Sequence, residues 1–121
     1  GTGRIVRVRM LLPDGAGLSA RITQESAELL GLAEGMTAIG LCKATAVKVE
    51  RADATSRRAG NRLTGTIARV ARGDSGDEVV VALAGGELQL VGFAPSGSAL
   101  RTRQRVTAQV DEAAVVVALP G

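Results

Sequence analysis

The sequence predicts an all-β protein of two tandem small barrels, each with five strands and one short helix. The chain is 45% hydrophobic but only 1% aromatic, so its core must consist of Val, Leu, Ile and Ala, which suit small, tightly curved sheets. Sixteen glycines in 121 residues indicate many turns or bulges. The two halves also align with each other: Leu12-Pro-Asp-Gly15 with Leu83-Ala-Gly-Gly86, and residues 32–47 with residues 100–115. We interpret this as a two-copy repeat of strand-rich units, each of the size that closes a five-stranded barrel.

The first half predicts a hairpin, a helix and two further strands. Residues 4–12 alternate charged and apolar side chains, as a half-buried strand does, and residues 18–22 return after the turn signal Pro13-Asp-Gly15. A helix is predicted over residues 24–30. Strands at residues 36–42 and 47–50 complete this half.

The second half repeats the strand pattern after a polar stretch of small residues. We assign residues 1–52 to the first repeat, 53–60 to a linker and 61–121 to the second repeat. The second repeat has a loop at residues 72–77 and predicted strands at residues 63–70, 78–83, 87–93, 105–110 and 114–119.

The start of the predicted helix carries the first candidate site. Thr23 lies at the N-cap position, where its hydroxyl can accept a hydrogen bond from a backbone N–H, and Ser26 follows three residues later. Gly31 is placed to end the helix. A helix start with two hydroxyls, free N–H groups and a positive dipole end can hold an oxyanion. The same Thr-x-x-Ser spacing is common in capping, and taken alone it favours a cap without a ligand.

Composition excludes several kinds of site. The chain has no histidine and one cysteine, Cys42, which rules out Ser-His-Asp and Cys-His catalysis, His-based or cysteine-rich metal sites and an intramolecular disulfide. The carboxylates show no pairing of the kind that general acid–base catalysis uses, so we expect a binding protein and not an enzyme. No apolar run approaches about 18 residues and no signal peptide is visible, so we expect a cytoplasmic protein without a membrane partner.

The net charge of +3 has three interpretations: a solvated basic surface, a nucleic-acid surface or a site for a small anion. Proteins that bind single strands usually combine basic grooves with stacking aromatic side chains. Phe93 is the only aromatic residue, which argues against stacking. A small anion needs only N–H groups, hydroxyls and a cation, all of which this chain has.

One mismatch between the halves affects the expected assembly. The second repeat has an opening strand, within residues 61–81, for which the first repeat has no counterpart. A barrel without that strand has an open edge that must be covered. Another part of the chain, a partner chain or an upstream segment can cover it. We expect either a dimer with exchanged strands or a domain cut from a longer protein.

Several motifs together resemble one known family. They are Ile22-Thr-x-Glu-Ser26, Leu30-Gly-Leu-x-Glu-Gly35, Leu41-x-Lys-Ala44, and Ala59-Gly-Asn61 leading into Leu63-Thr-Gly65. This combination resembles the tandem molybdate-binding, or molbindin-like, domains related to the TOBE domain. The resemblance implies OB-like barrels and strand exchange in a homodimer or higher oligomer. It also implies molybdate or tungstate bound at protomer interfaces, with no redox cofactor.

The resemblance assigns roles to four residues of the first repeat. Thr23 and Ser26 match the family's anion-contacting hydroxyls, Lys43 matches its ligating lysine, and Ala44 lies where a backbone N–H is offered. The family also uses a Ser-Ala-Arg-Asn segment, which the first repeat lacks and the second has as Arg58-Ala-Gly-Asn61. Arg58 is therefore a weaker candidate.

The second repeat departs from the family pattern. Ala94 replaces Thr23, Gly97 replaces Ser26 with Ser96 and Ser98 beside it, and Asp111 replaces Lys43. A carboxylate would repel a dianion. We therefore expect the first repeat to bind and the second to be structural, and we keep Ser96 and Ser98 only as weaker candidates.

The tandem arrangement resembles the C-terminal effector domain of the molybdate-responsive transcriptional regulator. We therefore expect effector sensing, with DNA contacted only through a separate upstream domain that is not in this chain. The alternatives are a cytoplasmic storage molbindin, the regulatory domain of a molybdate transporter ATPase, and an OB-type nucleic-acid-binding module. Storage predicts a higher oligomer with more anions per subunit. A nucleic-acid binder predicts salt-sensitive affinity for oligonucleotides and indifference to Lys43→Ala.

Overall fold

The computed structural model describes residues 3–53 and 60–121. These residues form one α-helix, α1 (Gln24–Leu30), and nine β-strands. Lys43 and Asp111 each precede a short 3-10 turn: the lysine turn (Ala44–Ala46) and the glutamate turn (Glu112–Ala114). The strands are β1 (Ile5–Leu11), β2 (Gly17–Thr23), β3 (Ile39–Leu41), β4 (Lys48–Arg51), β5 (Asn61–Ala71), β6 (Asp77–Leu83), β7 (Leu88–Ala94), β8 (Arg105–Val110) and β9 (Val116–Ala118).

Five strands close a barrel in the order β4-β7-β6-β5-β8. The pairs β5–β6, β6–β7, β5–β8 and β4–β8 are antiparallel, and β4 meets β7 in parallel at Lys48 and Phe93. β6 has the two-residue alternation of a strand with one inward face, because Val79, Val81 and Leu83 are buried. The predicted five-stranded OB-like barrel is confirmed.

Each half of the chain contributes a strand to the other. β4, which precedes the linker, completes the barrel built from residues 61–110. In return β9, near the end of the chain, pairs antiparallel with β3 of the first half, from Ile39 opposite Ala118 to Leu41 opposite Val116. This reciprocal pairing covers edges that each half would otherwise leave open. Strand exchange between separate chains stays a prediction.

The buried side chains form one core across both halves. Leu18 and Ala20 of β2 belong to the same cluster as barrel residues such as Val79 and Val106. The largest fully buried side chains are Val, Leu and Ile, apart from Asp77, as the composition predicts. Gly92 permits a close approach between β7 and the start of β4, since a Cβ there would lie 2.7 Å from Val47 Cγ1.

The expectation of two closed barrels requires correction. In the described part of the chain there is one, and the first half forms the β1–β2 hairpin and the β3–β9 pair, each a two-stranded sheet. The physical reason is the mismatch between the halves. Within the described ranges no first-half strand takes the bridging role that β5 has between β6 and β8. The division into residues 1–52, 53–60 and 61–121 as folding units stays a prediction.

The expectation of one helix per repeat is also wrong for the second repeat. After β7 the chain makes a turn, in which the Ser98 N–H donates to the Pro95 carbonyl over 3.1 Å. Gly97 and Ala99 have positive φ angles of 79° and 60°, which interrupt any helix. This segment is also shorter than its first-half counterpart, so it has no room for the two turns of α1.

Candidate anion-binding site

The start of α1 has the predicted capping geometry. Thr23 has an extended backbone (φ −73°, ψ 152°), and its Oγ1 accepts a 3.1 Å hydrogen bond from the Ser26 N–H. Gly31 ends the helix at φ 64°, and its N–H donates to the carbonyls of Ala27 and Glu28. The predicted cap and stop are both confirmed. Because α1 has only seven residues, its dipole is small, and an anion here would depend on side-chain donors.

The hydroxyls of Thr23 and Ser26 lie against each other. Thr23 Oγ1 donates to Ser26 Oγ over 2.9 Å, so the pair uses one hydroxyl proton internally and has one left for a ligand. Both residues are exposed. A bound oxyanion that takes both protons would exchange this neutral hydrogen bond for two charge-assisted ones, which are stronger.

These two residues line an open groove of about 520 Å³. Its polar lining residues are Arg21, Thr23 and Ser26. The remaining walls are largely apolar and come from α1 and from residues 115–117 near the end of the chain. Because residues 115–117 belong to the second half of the chain, the shape of the groove depends on the pairing of β9 with β3.

Lys43 and Ala44 lie at the lysine turn and do not line this groove. Lys43 is exposed and extended (φ −67°, ψ 138°), and its side chain makes no cap hydrogen bond to the turn. The backbone carbonyls of Lys43 and Ala44 accept from Ala46 and Val47 over 2.9 and 3.1 Å. The structure therefore brings Thr23 and Ser26 together and places the other two predicted residues at a separate turn.

The glutamate turn is the second-half counterpart of the lysine turn, and the residue that precedes it behaves differently from Lys43. Asp111, at the position equivalent to Lys43, accepts a 2.9 Å hydrogen bond on Oδ1 from the Ala113 N–H. The Asp111 carboxylate therefore gives the glutamate turn a side-chain hydrogen-bond acceptor, which the lysine turn lacks. A turn that is already capped by a carboxylate has less to offer an anion.

Sequence reasoning missed a charge cluster beside the groove. Arg7 Nε and Nη2 donate to the two carboxylate oxygens of Glu112 over 3.0 and 3.2 Å, and Arg21 Nε lies 3.5 Å from Glu112 Oε1. Arg7 and Arg21 are directly opposite in the β1–β2 register. Hairpin pairing could have predicted this arginine pair. The carboxylate between them comes from 105 residues further along the chain, and no local pattern indicates it.

Ser96 and Ser98 are engaged in structural hydrogen bonds. Ser98 Oγ donates to the buried Asp77 carboxylate over 2.8 Å, and Ser96 Oγ donates to the Gly73 carbonyl over 2.9 Å. The pKa of Asp77 is lowered, and the hydrogen bond from Ser98 is the largest cause. Burial raises this pKa, whereas Arg72 and the Gly73 N–H lower it further. A dianion bound at Ser98 would be repelled by the Asp77 carboxylate. Arg58 lies outside the described residues.

Other features of the described residues add no second candidate. A cavity of about 550 Å³ is lined by Thr64, Thr66 and Arg105 among others, and by none of the predicted site residues. Burial raises the pKa of the Cys42 thiol, which disfavours a reactive thiolate. Within residues 3–53 and 60–121 no group of three potential metal-ligating side chains occurs, and no helix is long and apolar enough to cross a membrane.

Sequence comparison relates the chain to regulators. Residues 1–49 match the TOBE domain family. The chain is 36% identical over 114 residues to the DNA-binding transcriptional dual regulator ModE of Escherichia coli strain K12, covering 92% of this chain and 43% of ModE. It is 42% identical over 80 residues to the transcriptional regulator ModE of Yersinia pestis, covering 65% of this chain and 30% of that protein. The chain thus spans less than half the length of these regulators.

Structural comparison relates the whole fold to a solved protein. The chain is similar to the cytoplasmic molybdate-binding protein ModG in a crystal form with molybdate bound, with a TM-score of 0.86 and 29% identity. The likeness covers 99% of this chain and 87% of ModG. The likeness therefore extends over both halves of the chain and is not limited to the barrel.

Proposed function

We propose that the chain is a TOBE/molbindin-like domain that binds molybdate or tungstate, because residues 1–49 match the TOBE domain and the chain is similar to ModE in sequence and to ModG in structure. The observation that carries the proposal is the likeness to molybdate-bound ModG over 99% of the chain. The hydroxyl pair of Thr23 and Ser26, which lines the groove, supports the proposal from the chain's own chemistry. ModG is cytoplasmic, and we infer the same compartment for this protein.

The proposed binding mode uses donors and no redox chemistry. Molybdate is a tetrahedral dianion whose oxygens accept hydrogen bonds. Thr23 and Ser26 would donate hydroxyl protons, Ala44 a backbone N–H, and Lys43 a charge-assisted bond from an exposed, flexible side chain. Because Thr23 and Ser26 line an open groove that lacks Lys43 and Ala44, we propose that the complete site forms at a protomer interface.

An apolar face supports self-association. Ile39 and Leu41 project from the same side of β3, and Val116 lies opposite Leu41 on β9. These side chains are 42%, 52% and 59% exposed. We propose that a second copy covers this face in a homodimer or higher oligomer, which would also close the groove next to Val116.

Titration calorimetry with molybdate tests the binding proposal. Wild type is expected to bind molybdate in the micromolar range or tighter and to show no heat with sulfate. Lys43→Ala should abolish or strongly weaken binding, because it removes the proposed cation. Lys48→Ala is the matched control: Lys48 is the chain's other lysine and lies exposed on β4. Equal affinity of wild type and Lys43→Ala would overturn the proposed site.

We propose effector sensing for a transcriptional regulator as the biological role, because the chain is similar in sequence to ModE regulators. Any DNA contact would then belong to a separate upstream domain. Storage is the second candidate, since the chain covers 87% of ModG, a cytoplasmic molybdate-binding protein. Native mass spectrometry separates them: a sensor should form a dimer with two anions, and a store a higher oligomer with more anions per subunit. Oligonucleotide binding that falls with salt and ignores Lys43→Ala would instead favour a nucleic-acid module.

A further inference from the structure

Arg21 and Arg7 form a like-charge pair, and Glu112 is the one carboxylate in residues 3–53 and 60–121 that forms an ion pair with them. The two arginines lie directly opposite on β1 and β2, where like charges repel. The Glu112 carboxylate, from the glutamate turn, contacts both and is 13% exposed. The cluster therefore ties the hairpin of the first half to a turn of the second.

The two arginines hold this carboxylate unequally. Arg7 makes a bidentate contact, with both Glu112 oxygens at 3.0 and 3.2 Å. Arg21 makes a single ion-pair contact at 3.5 Å. A bidentate guanidinium–carboxylate pair is geometrically specific, so Arg7 can hold Glu112 without help. The Arg21 guanidinium therefore has more donor capacity left for another partner.

Arg21 is also placed toward the hydroxyl pair. Arg21 and Thr23 are two residues apart on β2, so their side chains project from the same side of the strand. Arg21 lines the groove together with Thr23 and Ser26, and Arg7 does not. A planar guanidinium matches the geometry of an oxyanion.

We propose that Arg21 is a further anion-binding residue of the groove and that Glu112 is its counter-ion in the free protein. This inference rests on the proposed function. In the free protein Arg21 shares Glu112 with Arg7. In the complex it turns to the oxyanion, and Arg7 alone retains Glu112. The carboxylate thus competes with the ligand for Arg21, so a dianion should compete more effectively than a monoanion of similar shape.

Calorimetry of four variants with molybdate tests this proposal. Arg21→Gln should weaken binding about fivefold, and Glu112→Gln should tighten it about threefold, magnitudes expected for exposed charge pairs. Arg9→Gln is the matched control, since it removes an exposed arginine that does not line the groove, and it should leave the affinity unchanged. In the double variant Arg21→Gln/Glu112→Gln, loss of the carboxylate should no longer tighten binding, an outcome that a purely structural role would not produce.

The outcomes separate this inference from the proposed function. If Arg21→Gln binds like wild type while Lys43→Ala does not bind, the inference is overturned and the proposed function stands. If wild type does not bind molybdate, both are overturned. Should Glu112→Gln fail to fold, Arg7→Gln replaces it. In Arg7→Gln, Glu112 can pair fully with Arg21, so the affinity for molybdate should fall about threefold. An unchanged affinity for molybdate in this variant overturns the inference.

Discussion

Lys43 and Asp111 show how one side chain changes what a turn can do. Both precede a 3-10 turn with nearly the same backbone, at φ −67° and ψ 138° for Lys43 and φ −62° and ψ 141° for Asp111. Asp111 accepts a hydrogen bond from its own turn, whereas Lys43 leaves the turn without a side-chain cap. The proposed difference between a binding first repeat and a silent second repeat therefore rests on charge and donor supply, and not on backbone shape.

Asp77 should make the protein sensitive to acid. Its pKa in the folded state is lowered, so the carboxylate stabilises the fold above the usual pKa of 3.8, and this stabilisation is lost as the pH falls through the lowered value. Urea denaturation from pH 7 to pH 2 should therefore show falling stability below about pH 4. Asp77→Asn should be less stable than wild type at pH 7 and should lose less stability in acid.

Asp74→Asn is the control for this prediction, because Asp74 is an exposed carboxylate of the same loop. It should keep the wild-type pH dependence. If Asp77→Asn retains the full acid loss of wild type, then Ser98 and Arg72 do not stabilise the fold through Asp77.

At the scale of elements, local signals predicted most of what formed. The hydroxyl before Gln24 and the glycine after Leu30 delimit α1 as expected, because capping and the left-handed stop are local chemistry. The hairpin from β1 to β2 follows from alternation around a turn signal. The predicted strand at residues 36–42 is reduced to Ile39–Leu41, because its extent depends on β9, a distant partner of only three residues.

The approach of β4 to β7 depends on Gly92. A Cβ at this position would lie 2.7 Å from Val47 Cγ1 and 2.9 Å from the Val47 carbonyl, which itself accepts from the Phe93 N–H over 2.9 Å. Gly92→Ala should therefore lower the free energy of unfolding by about 1–3 kcal/mol through overpacking. Urea denaturation measures this.

Gly3→Ala is a suitable comparison, since its nearest neighbour would be Thr23 Cβ at an ordinary 3.8 Å. It should change stability by less than about 0.5 kcal/mol. Because Val47 directly follows the lysine turn, Gly92→Ala should also weaken molybdate binding if Lys43 belongs to the site. If Gly92→Ala proves as stable as wild type, then β4 and β7 can move apart at this point at little cost in free energy.

At the scale of the whole molecule, the fold class was predictable and the connection between the halves was not. Composition and the internal repeat indicated small barrels, and the repeat also indicated an uncovered edge. Which strand covers it depends on contacts between distant residues, such as β4 with β8 and β3 with β9. The candidate site follows the same rule: Thr23 and Ser26 were predicted from local capping, whereas Glu112 contacts Arg21 only through the global fold.

The reciprocal pairing predicts that the two halves unfold as one unit. Val117 on β9 is buried in the common core, and Val116 beside it is 59% exposed. Val117→Ala should lower the free energy of unfolding by about 2 kcal/mol, because it leaves a cavity, whereas Val116→Ala should change it by less than about 0.5 kcal/mol when measured at low protein concentration. Urea denaturation provides both values, and hydrogen exchange then shows where protection is lost.

In Val117→Ala, amide protection should fall by a similar factor in β3, in the β1–β2 hairpin and in barrel strands β5 and β8. Each of these elements depends on a core that residues from both halves fill. Loss confined to the first half would contradict a single cooperative unit. It would favour the division into independent repeats at residues 1–52 and 61–121, with β9 attached to the first repeat as a detachable strand.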